Sequence, residues 1–493
     1  MGNNYIVTIP SDVLDLNLLT WKELRAVDFA FDSPFKLKLA DDQYLVTEEI
    51  VRIVPGKRIV AFGTWQGKSI VAKLFFDGDA KRHMEEDADG VKLLREHKIP
   101  TPPLYYQGYS PDKRVYVLLF QRIYEASGLG DIWRDKKNIT SILPILQGVT
   151  VELATQHVLG ILQHDLHLNN FLLTRKTIYT LDGAQVELVP QLLPRKLSIE
   201  NLALFFSQFG VGHEEYHEKL FKHYAKARGW LLKPEDTVEL FLAVKKWNDE
   251  RWNSYEQKIF RECTAFGCID TWNTFGIYDR KAGTPEFSEF LKNPDSAFSD
   301  PTTVMLKDGR SATVVKVTYD NRDYVVKRYN IKNMRHRLRR AIRRTRASMS
   351  WRLAQKFTMF GIPTAKPIAF IEKKWLGFRG KSYYVTEYVS SEHAGDYFAS
   401  INPEKITEMV KQIGTLLKNI AKVEVTHGDL KITNILIDAN KKPILIDLDG
   451  AAEHSSLSSL RSAWRKEIKR FLRNFDDKPL ISKQFKAELG EKS

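Results

Sequence analysis

Two stretches of the chain carry a carboxylate, an amide and a second carboxylate at matching spacings. In the first, Asp165 is followed five residues on by Asn170, then by the apolar run Ile178-Tyr179-Thr180-Leu181 and Asp182. In the second, Asp429 is followed by Asn434, then by Pro443-Ile444-Leu445-Ile446 and Asp447. A carboxylate so placed can orient a hydroxyl and accept its proton. The amide oxygen and the strand-end carboxylate can hold magnesium against nucleotide phosphates. The chemistry this supports is phosphoryl transfer from ATP. Asp429 and Asp165 are the catalytic candidates, and Asn434, Asp447, Asn170 and Asp182 the candidate Mg2+ ligands.

Such loops need a lysine strand and an acid-bearing helix upstream. Glu49–Val54, Arg58–Phe62 and Ser69–Phe76 read as three strands separated by turns at Pro55-Gly56-Lys57 and Gln66-Gly67-Lys68. Lys73 in the third is the candidate for the ATP phosphates. A helix over about 80–96 should supply the acid that locks it. Glu86 and Asp87 both fit the spacing, and Glu86 is taken as the cofactor-side residue. Leu146, Val149, Leu153, His157 and Ile161 recur near helical spacing before the loop, with His157 as a core residue.

The strand-end position of this first half looks irregular. Matching Leu181-Asp182-Gly183-Ala184 to Leu448-Asp449-Gly450-Ala451 sets Thr180 opposite Asp447. A hydroxyl is a poor magnesium ligand beside a carboxylate. Asp182 would have to take over.

The second half repeats the plan. Lys327, in Tyr324-Val325-Val326-Lys327, is the counterpart of Lys73, and Gly361-Ile362-Pro363-Thr364 matches Lys98-Ile99-Pro100-Thr101. Counting back from that anchor puts Met349 and Ser350 where Glu86 and Asp87 stand, so the locking acid is missing. Glu387 and Val389, at the end of the strand over 383–389, are the hinge positions expected to receive adenine. The pattern implies an α+β fold of two tandem kinase-like domains, each with a β-rich N-lobe and a helical C-lobe. The expected division is 1–285 with an irregular lead-in, a polar linker over 286–301, and 302–493.

Length and composition agree with two soluble domains: 493 residues, 43% apolar, and two cysteines that cannot build a disulfide framework. No secretory leader or membrane-length apolar run is visible, so a cytoplasmic location is expected. The formal charge of +14 favours anionic partners. Much of it lies between Lys332 and Lys356, and no acid occurs between Asp323 and Glu372. Arg339, Arg340, Arg343 and Arg344 are the candidate contacts to an anionic substrate. The basic amphipathic stretch Trp464–Arg473 either packs on the C-lobe or touches a membrane, with packing the better use of its apolar face.

The chain resembles the bacterial lipopolysaccharide core kinases. In the first half the resemblance rests on residues 51–58, on Ala72-Lys73-Leu74-Phe75 and on Phe260-Arg261-Glu262-Cys263-Thr264. In the second it rests on Val326-Lys327-Arg328-Tyr329-Asn330, Arg339-Arg340 through Arg346-Ala347, Gly361-Ile362-Pro363-Thr364, and Lys469–Asn474. Thr180 and Ser350 depart from the pattern. The resemblance implies ATP and Mg2+ as cofactors and a sugar hydroxyl, heptose first, of the lipopolysaccharide core glycolipid as acceptor. It also implies peripheral contact with the inner membrane. A protein kinase would show a G-x-G-x-x-G loop and an Ala-Pro-Glu segment, and neither is present. Small-molecule kinases share the His-Gly-Asp form. A nucleotide- or lipopolysaccharide-binding scaffold is the non-enzymatic alternative. Nucleic acid is not expected, because no recognition module accompanies the charge.

Overall fold

The computed structural model describes residues 16–136, 138–330, 344–375 and 378–490. Strict alternation of buried and half-buried residues along Arg58–Trp65 gives that strand one core face. It sits inside a six-stranded antiparallel sheet in the order Lys36–Lys38, Tyr44–Val54, Arg58–Trp65, Lys68–Phe75, Tyr116–Gln121, Leu104–Tyr109. The hairpin that delivers Lys73 turns on Gln66 and Gly67, both with positive φ (49° and 71°). That turn matches strand twist and favours glycine. In register, Lys73 lies opposite Val60 on one side and Leu118 on the other, in the middle of the sheet.

The chain divides into two units, Met1–Gln208 with Glu214–Trp247, and Phe209–His213 with Asn248–Ser493. The second unit has a seven-stranded sheet ordered Phe266–Asp270, Thr274–Asp279, Pro367–Trp375, Phe378–Glu387, Arg322–Tyr329, Ala312–Tyr319, Val304–Asp308. Lys327 pairs in register with Val314 and Tyr384, again in a central strand. Each unit combines its sheet with helices, so mixed α and β structure is observed in both.

Three expectations about organisation change. The break falls at Trp247/Asn248, inside helix Pro234–Lys258, rather than near residue 285. Residues 248–285 belong to the second unit because the hairpin Phe266–Asp279 adds two strands to its sheet. The stretch expected to be a polar linker contains helix Pro285–Lys292, capped by the Thr284 side chain and burying Phe287, Phe290 and Leu291. Its Ser, Asp and Pro are caps and turns around an apolar face, not spacer. The lead-in also holds structure: Thr20 forms a capping box with Glu23 at helix Trp21–Ala26, whose Leu24 is buried.

Helices complete each core. In the second unit Asn402 caps Pro403–Lys422, which buries Met409, Val410, Ile413, Leu416, Leu417 and Ile420 at helical spacing. In the first, helix Leu143–Val158 carries His157, which is buried as expected. Its ring nitrogens meet the Tyr224 hydroxyl at 2.6 Å and Asn201 Oδ1 at 3.0 Å. Burial pushes its pKa down from 6.5 to about 4, against the opposing Asn201 hydrogen bond and with help from Arg228. The folded chain keeps the ring neutral while the unfolded chain protonates near 6.5. This contribution is therefore complete above that pH and is lost as pH falls toward 4. The shift corresponds to about 3 kcal/mol. Unfolding followed between pH 7 and pH 4 should show the first unit weakening on acidification. His157→Gln should flatten that slope, and an unchanged slope would assign the acid sensitivity elsewhere.

Candidate active site

Each lysine strand ends up facing a short loop that carries the strand-end aspartate. In the first unit the Asn170 Nδ2 donates to the Asp165 carbonyl at 2.8 Å, and the Leu181 N–H donates to the Asn170 carbonyl at 2.7 Å. In the second, Asn434 Nδ2 donates to the Asp429 carbonyl at 2.9 Å and Ile446 N–H to the Asn434 carbonyl at 3.0 Å. The five-residue spacing is thus a local hydrogen-bonded device. It commits each amide's nitrogen and leaves its Oδ1 as an oxygen donor.

The same bonds correct the alignment of the strand ends. Leu181 corresponds to Ile446, and Thr180 N–H to the Pro100 carbonyl (2.7 Å) corresponds to Leu445 N–H to the Pro363 carbonyl (3.1 Å). Asp182 therefore matches Asp447, and both have left-handed backbones, with φ of 65° and 64°. Thr180 matches Leu445. It is buried, and its hydroxyl accepts from Gln156 at 2.9 Å. No carboxylate was lost in the first unit; the turn between its two strands is one residue shorter.

Lys73 Nζ lies 2.5 Å from Asp87 Oδ2 and 3.2 Å from Asp182 Oδ1. Asp87, not Glu86, is the locking acid. Glu86 faces outward and pairs with Arg82 at 3.0 Å. The choice is made by a close approach of helix Ala80–Glu96 to the loop. A Cβ on Gly90 would fall 1.9 Å from the Gly183 carbonyl oxygen, and one on Gly183 would fall 2.2 Å from the Asp87 carbonyl oxygen. The Gly183 N–H also donates to Asp87 Oδ1 at 2.9 Å. Burial opposes the Lys73 ammonium, but Asp87 and Asp182 outweigh it and raise its pKa. Burial likewise works against the Asp182 carboxylate, and Lys73 more than reverses this, lowering its pKa.

In the second unit Lys327 Nζ makes a short contact with Asp447 and lies 3.2 Å from Asp449 Oδ1. Ser350 is buried, and its hydroxyl meets the Tyr329 hydroxyl at 3.1 Å. Burial resists ionisation of Asp447, yet the charge of Lys327 and its hydrogen bond carry the Asp447 pKa well below the usual range. The Asp429 carboxylate is flanked by Lys431 Nζ at 2.7 Å and Arg470 Nη1 at 3.3 Å. At the corresponding place in the first unit His167 Nε2 is 3.8 Å from Asp165 Oδ2.

Two features escaped the sequence reading. Glu467, on helix Leu457–Leu472, accepts the backbone N–H of His427 at 2.9 Å and of Gly428 at 2.5 Å. Its neighbour Arg470 donates to the Gly428 carbonyl at 3.0 Å. The basic segment thus clamps the Asp429 loop, and its Ile468 and Phe471 are buried as packing requires. A lone Glu between apolar helix positions was the available signal. The arginine-rich stretch is also less free than its composition suggests. Arg344 lies 3.2 Å from Glu256 and over the Phe260 ring, and Arg352 makes a bidentate pair with Glu256 at 2.6 and 2.7 Å. Their acidic partners are remote in sequence. Arg339, Arg340 and Arg343 lie outside the described residues.

At the expected hinge, the Glu387 N–H donates to the Lys366 carbonyl at 3.0 Å, and its carboxylate pairs with Lys366 Nζ at 3.1 Å. The Val389 carbonyl accepts the Ser391 hydroxyl at 3.0 Å. The Glu387 N–H and carboxylate are thus both turned to Lys366.

Removing one partner of a buried ion pair strands the other charge. Asp87→Ala should destabilise the first unit by about 3 kcal/mol, whereas Glu86→Ala should cost less than about 0.5 kcal/mol. Equal losses in denaturant unfolding would refute Asp87 as the locking acid.

Residues 296–489 match the model of the lipopolysaccharide kinase (Kdo/WaaP) family. A 3-deoxy-D-manno-octulosonic acid kinase of Haemophilus influenzae (strain PittEE) is 30% identical over 142 residues, covering 26% of this chain and 58% of that protein. The protein of that name from strain PittGG is 32% identical over 138 residues, with 26% and 56% covered. That from Mannheimia succiniciproducens is 30% identical over 152 residues, with 28% and 61% covered. The chain thus spans less than two thirds of the length of these curated relatives. A solved structure described as WaaP in complex with acyl carrier protein aligns at a TM-score of 0.32 and 13% identity, over 41% of this chain and 87% of that one. No helix among the described residues is long and apolar enough to cross a membrane. The likeness to the lipopolysaccharide kinase (Kdo/WaaP) family thus lies in residues 296–489, within the second unit.

Proposed function

We propose that the chain is an ATP-dependent phosphotransferase of lipopolysaccharide assembly, built from two tandem kinase-like domains, with the second carrying the main activity. The observation that supports this best is the second unit's assembly of Lys327, Asp447 and Asn434 around one loop, with Asp429 beside two cations. Lys327 binds the nucleotide phosphates, and the end of strand Phe378–Glu387 with Val389 receives the base. Asp429 orients the acceptor hydroxyl in line and takes its proton as the bond to the γ-phosphorus forms and the bond from that phosphorus to the β–γ bridging oxygen breaks, releasing ADP. Lys431 and Arg470 hold that carboxylate in place and balance its charge.

Magnesium fits the donor set. The Asp447 carboxylate and the Asn434 Oδ1 are hard oxygen ligands, as are Asp182 and Asn170 in the first unit. When bound, the ion neutralises phosphate charge as it builds up. The acceptor is a core sugar hydroxyl. Heptose is the sugar implied by the sequence resemblance, and 3-deoxy-D-manno-octulosonic acid is the sugar in the relatives' names. Arg339, Arg340 and Arg343 are assigned to the acceptor's anionic groups on charge alone. Arg344 is left out of that assignment because it already pairs with Glu256. Acceptor-side contact with the inner-membrane face follows from a glycolipid substrate.

Transfer of labelled γ-phosphate from ATP to core acceptors bearing either sugar tests this reading. Asp429→Ala should reduce transfer by about 10²–10⁴-fold, the usual worth of a positioned base. Asp165→Ala should have the smaller effect. Equal and complete losses would refute the unequal roles, and no label on either glycolipid would refute the acceptor class.

A further inference from the structure

The two units solve one electrostatic problem in opposite ways. A buried lysine on a central strand needs a carboxylate besides the metal-binding aspartate, or it collapses onto that aspartate. In the first unit the helix supplies it: Asp87 reaches Lys73 at 2.5 Å. The helix ends correspond by a shared bond, Ile99 N–H to the Leu94 carbonyl (2.9 Å) and Ile362 N–H to the Phe357 carbonyl (2.8 Å). Counting back seven residues from Leu94 and Phe357 pairs Asp87 with Ser350. Counting two forward from Asp182 and Asp447 pairs Ala184 with Asp449. The acid and the small residue have changed places.

The packing accounts for the exchange. Gly90 and Gly183, which allow the first unit's helix to touch its loop, correspond to Leu353 and Leu448. Both leucines are buried. Side chains of that size cannot reproduce the first unit's glycine-to-carbonyl approach, so helix Arg346–Met359 does not bring an acid to Lys327 by that route. Asp449 needs no such reach. It sits on the 3-10 turn Leu448–Gly450 directly after Asp447, with its Oδ1 3.2 Å from Lys327 Nζ and its Oδ2 3.8 Å from Arg346 Nη1.

We propose that Asp449 is the lysine-positioning acid of the second unit, replacing the helix carboxylate and holding Lys327 for the nucleotide phosphates. The inference rests on the reading of this unit as an ATP site. It makes Asp449 a positioning residue that acts through Lys327, distinct from the metal ligands Asp447 and Asn434.

The test is a double-mutant cycle in a full-length Asp182→Asn background, which silences the first unit's site. Binding of a fluorescent ATP analogue is measured across a magnesium titration for the parent, Asp449→Asn, Lys327→Ala and the double variant. Thermal unfolding checks each fold, and Asp449→Ser replaces Asp449→Asn if the latter melts early. Loss of a charge-assisted contact should weaken nucleotide binding about tenfold in Asp449→Asn. Lys327→Ala should weaken it at least as much, and the double variant should bind no worse than Lys327→Ala within about twofold. The magnesium midpoint of Asp449→Asn should match the parent's. Additive losses, a raised magnesium midpoint, or no loss in Asp449→Asn would each overturn the proposal. A parent that binds no nucleotide would instead remove the ATP-site reading itself.

Discussion

The structure of both halves turns on a buried ammonium held between two carboxylates. Lys73 and Lys327 sit in the middle of antiparallel sheets, with only 16% and 15% of their side chains exposed. Charge at that depth is tolerated only when it is paired and hydrogen-bonded, since desolvation costs several kcal/mol per ion. One partner always comes from the strand-end loop, as Asp182 or Asp447. The second can come from a helix or from the loop itself, and that freedom separates the two units. Under the proposed function, phosphate oxygens and magnesium would take over the lysine and the aspartate respectively.

Around that centre, small packing differences decide which residues do the chemistry. A pair of glycines lets the helix and loop backbones meet in the first unit, and buried leucines stand at the corresponding positions of the second. The Asp429 loop is tied from a third direction, where Glu467 accepts two successive N–H groups and Arg470 reaches the Gly428 carbonyl. In the first unit a buried polar chain runs beside the strand end: Gln163 donates to Gln156 at 2.5 Å, and Gln156 donates to Thr180. The latter network leaves Thr180 structural and frees Asp182 for the site.

What was legible in the sequence is what local bonding dictates. The Asp-x4-Asn spacing follows from an amide reaching back to its own loop. The strand lysines follow from alternation and from turns such as Gln66-Gly67. The choice between Glu86 and Asp87 was not legible, because adjacent helical residues point about 100° apart and Gly90 against Gly183 decides between them. Matching Asp182-Gly183 to Asp449-Gly450 by residue identity misled, because the two intervening turns differ by one residue and main-chain bonds set the register. Residues 286–301 read as spacer because caps and turns dilute their composition, although Phe287 and Phe290 lie three apart on one helical face. Glu256 and Glu453, which pair with Arg352 and Lys356, are too remote in sequence for any charge count to find.

Both units are proposed here to be nucleotide sites built on one lysine–aspartate plan. Calorimetric titration of the intact chain with ATP and magnesium tests it most directly. Two nucleotides per chain are expected, falling to one in Asp182→Asn and to one in Asp447→Asn. A single nucleotide that survives either substitution unchanged, or none at all, would contradict it.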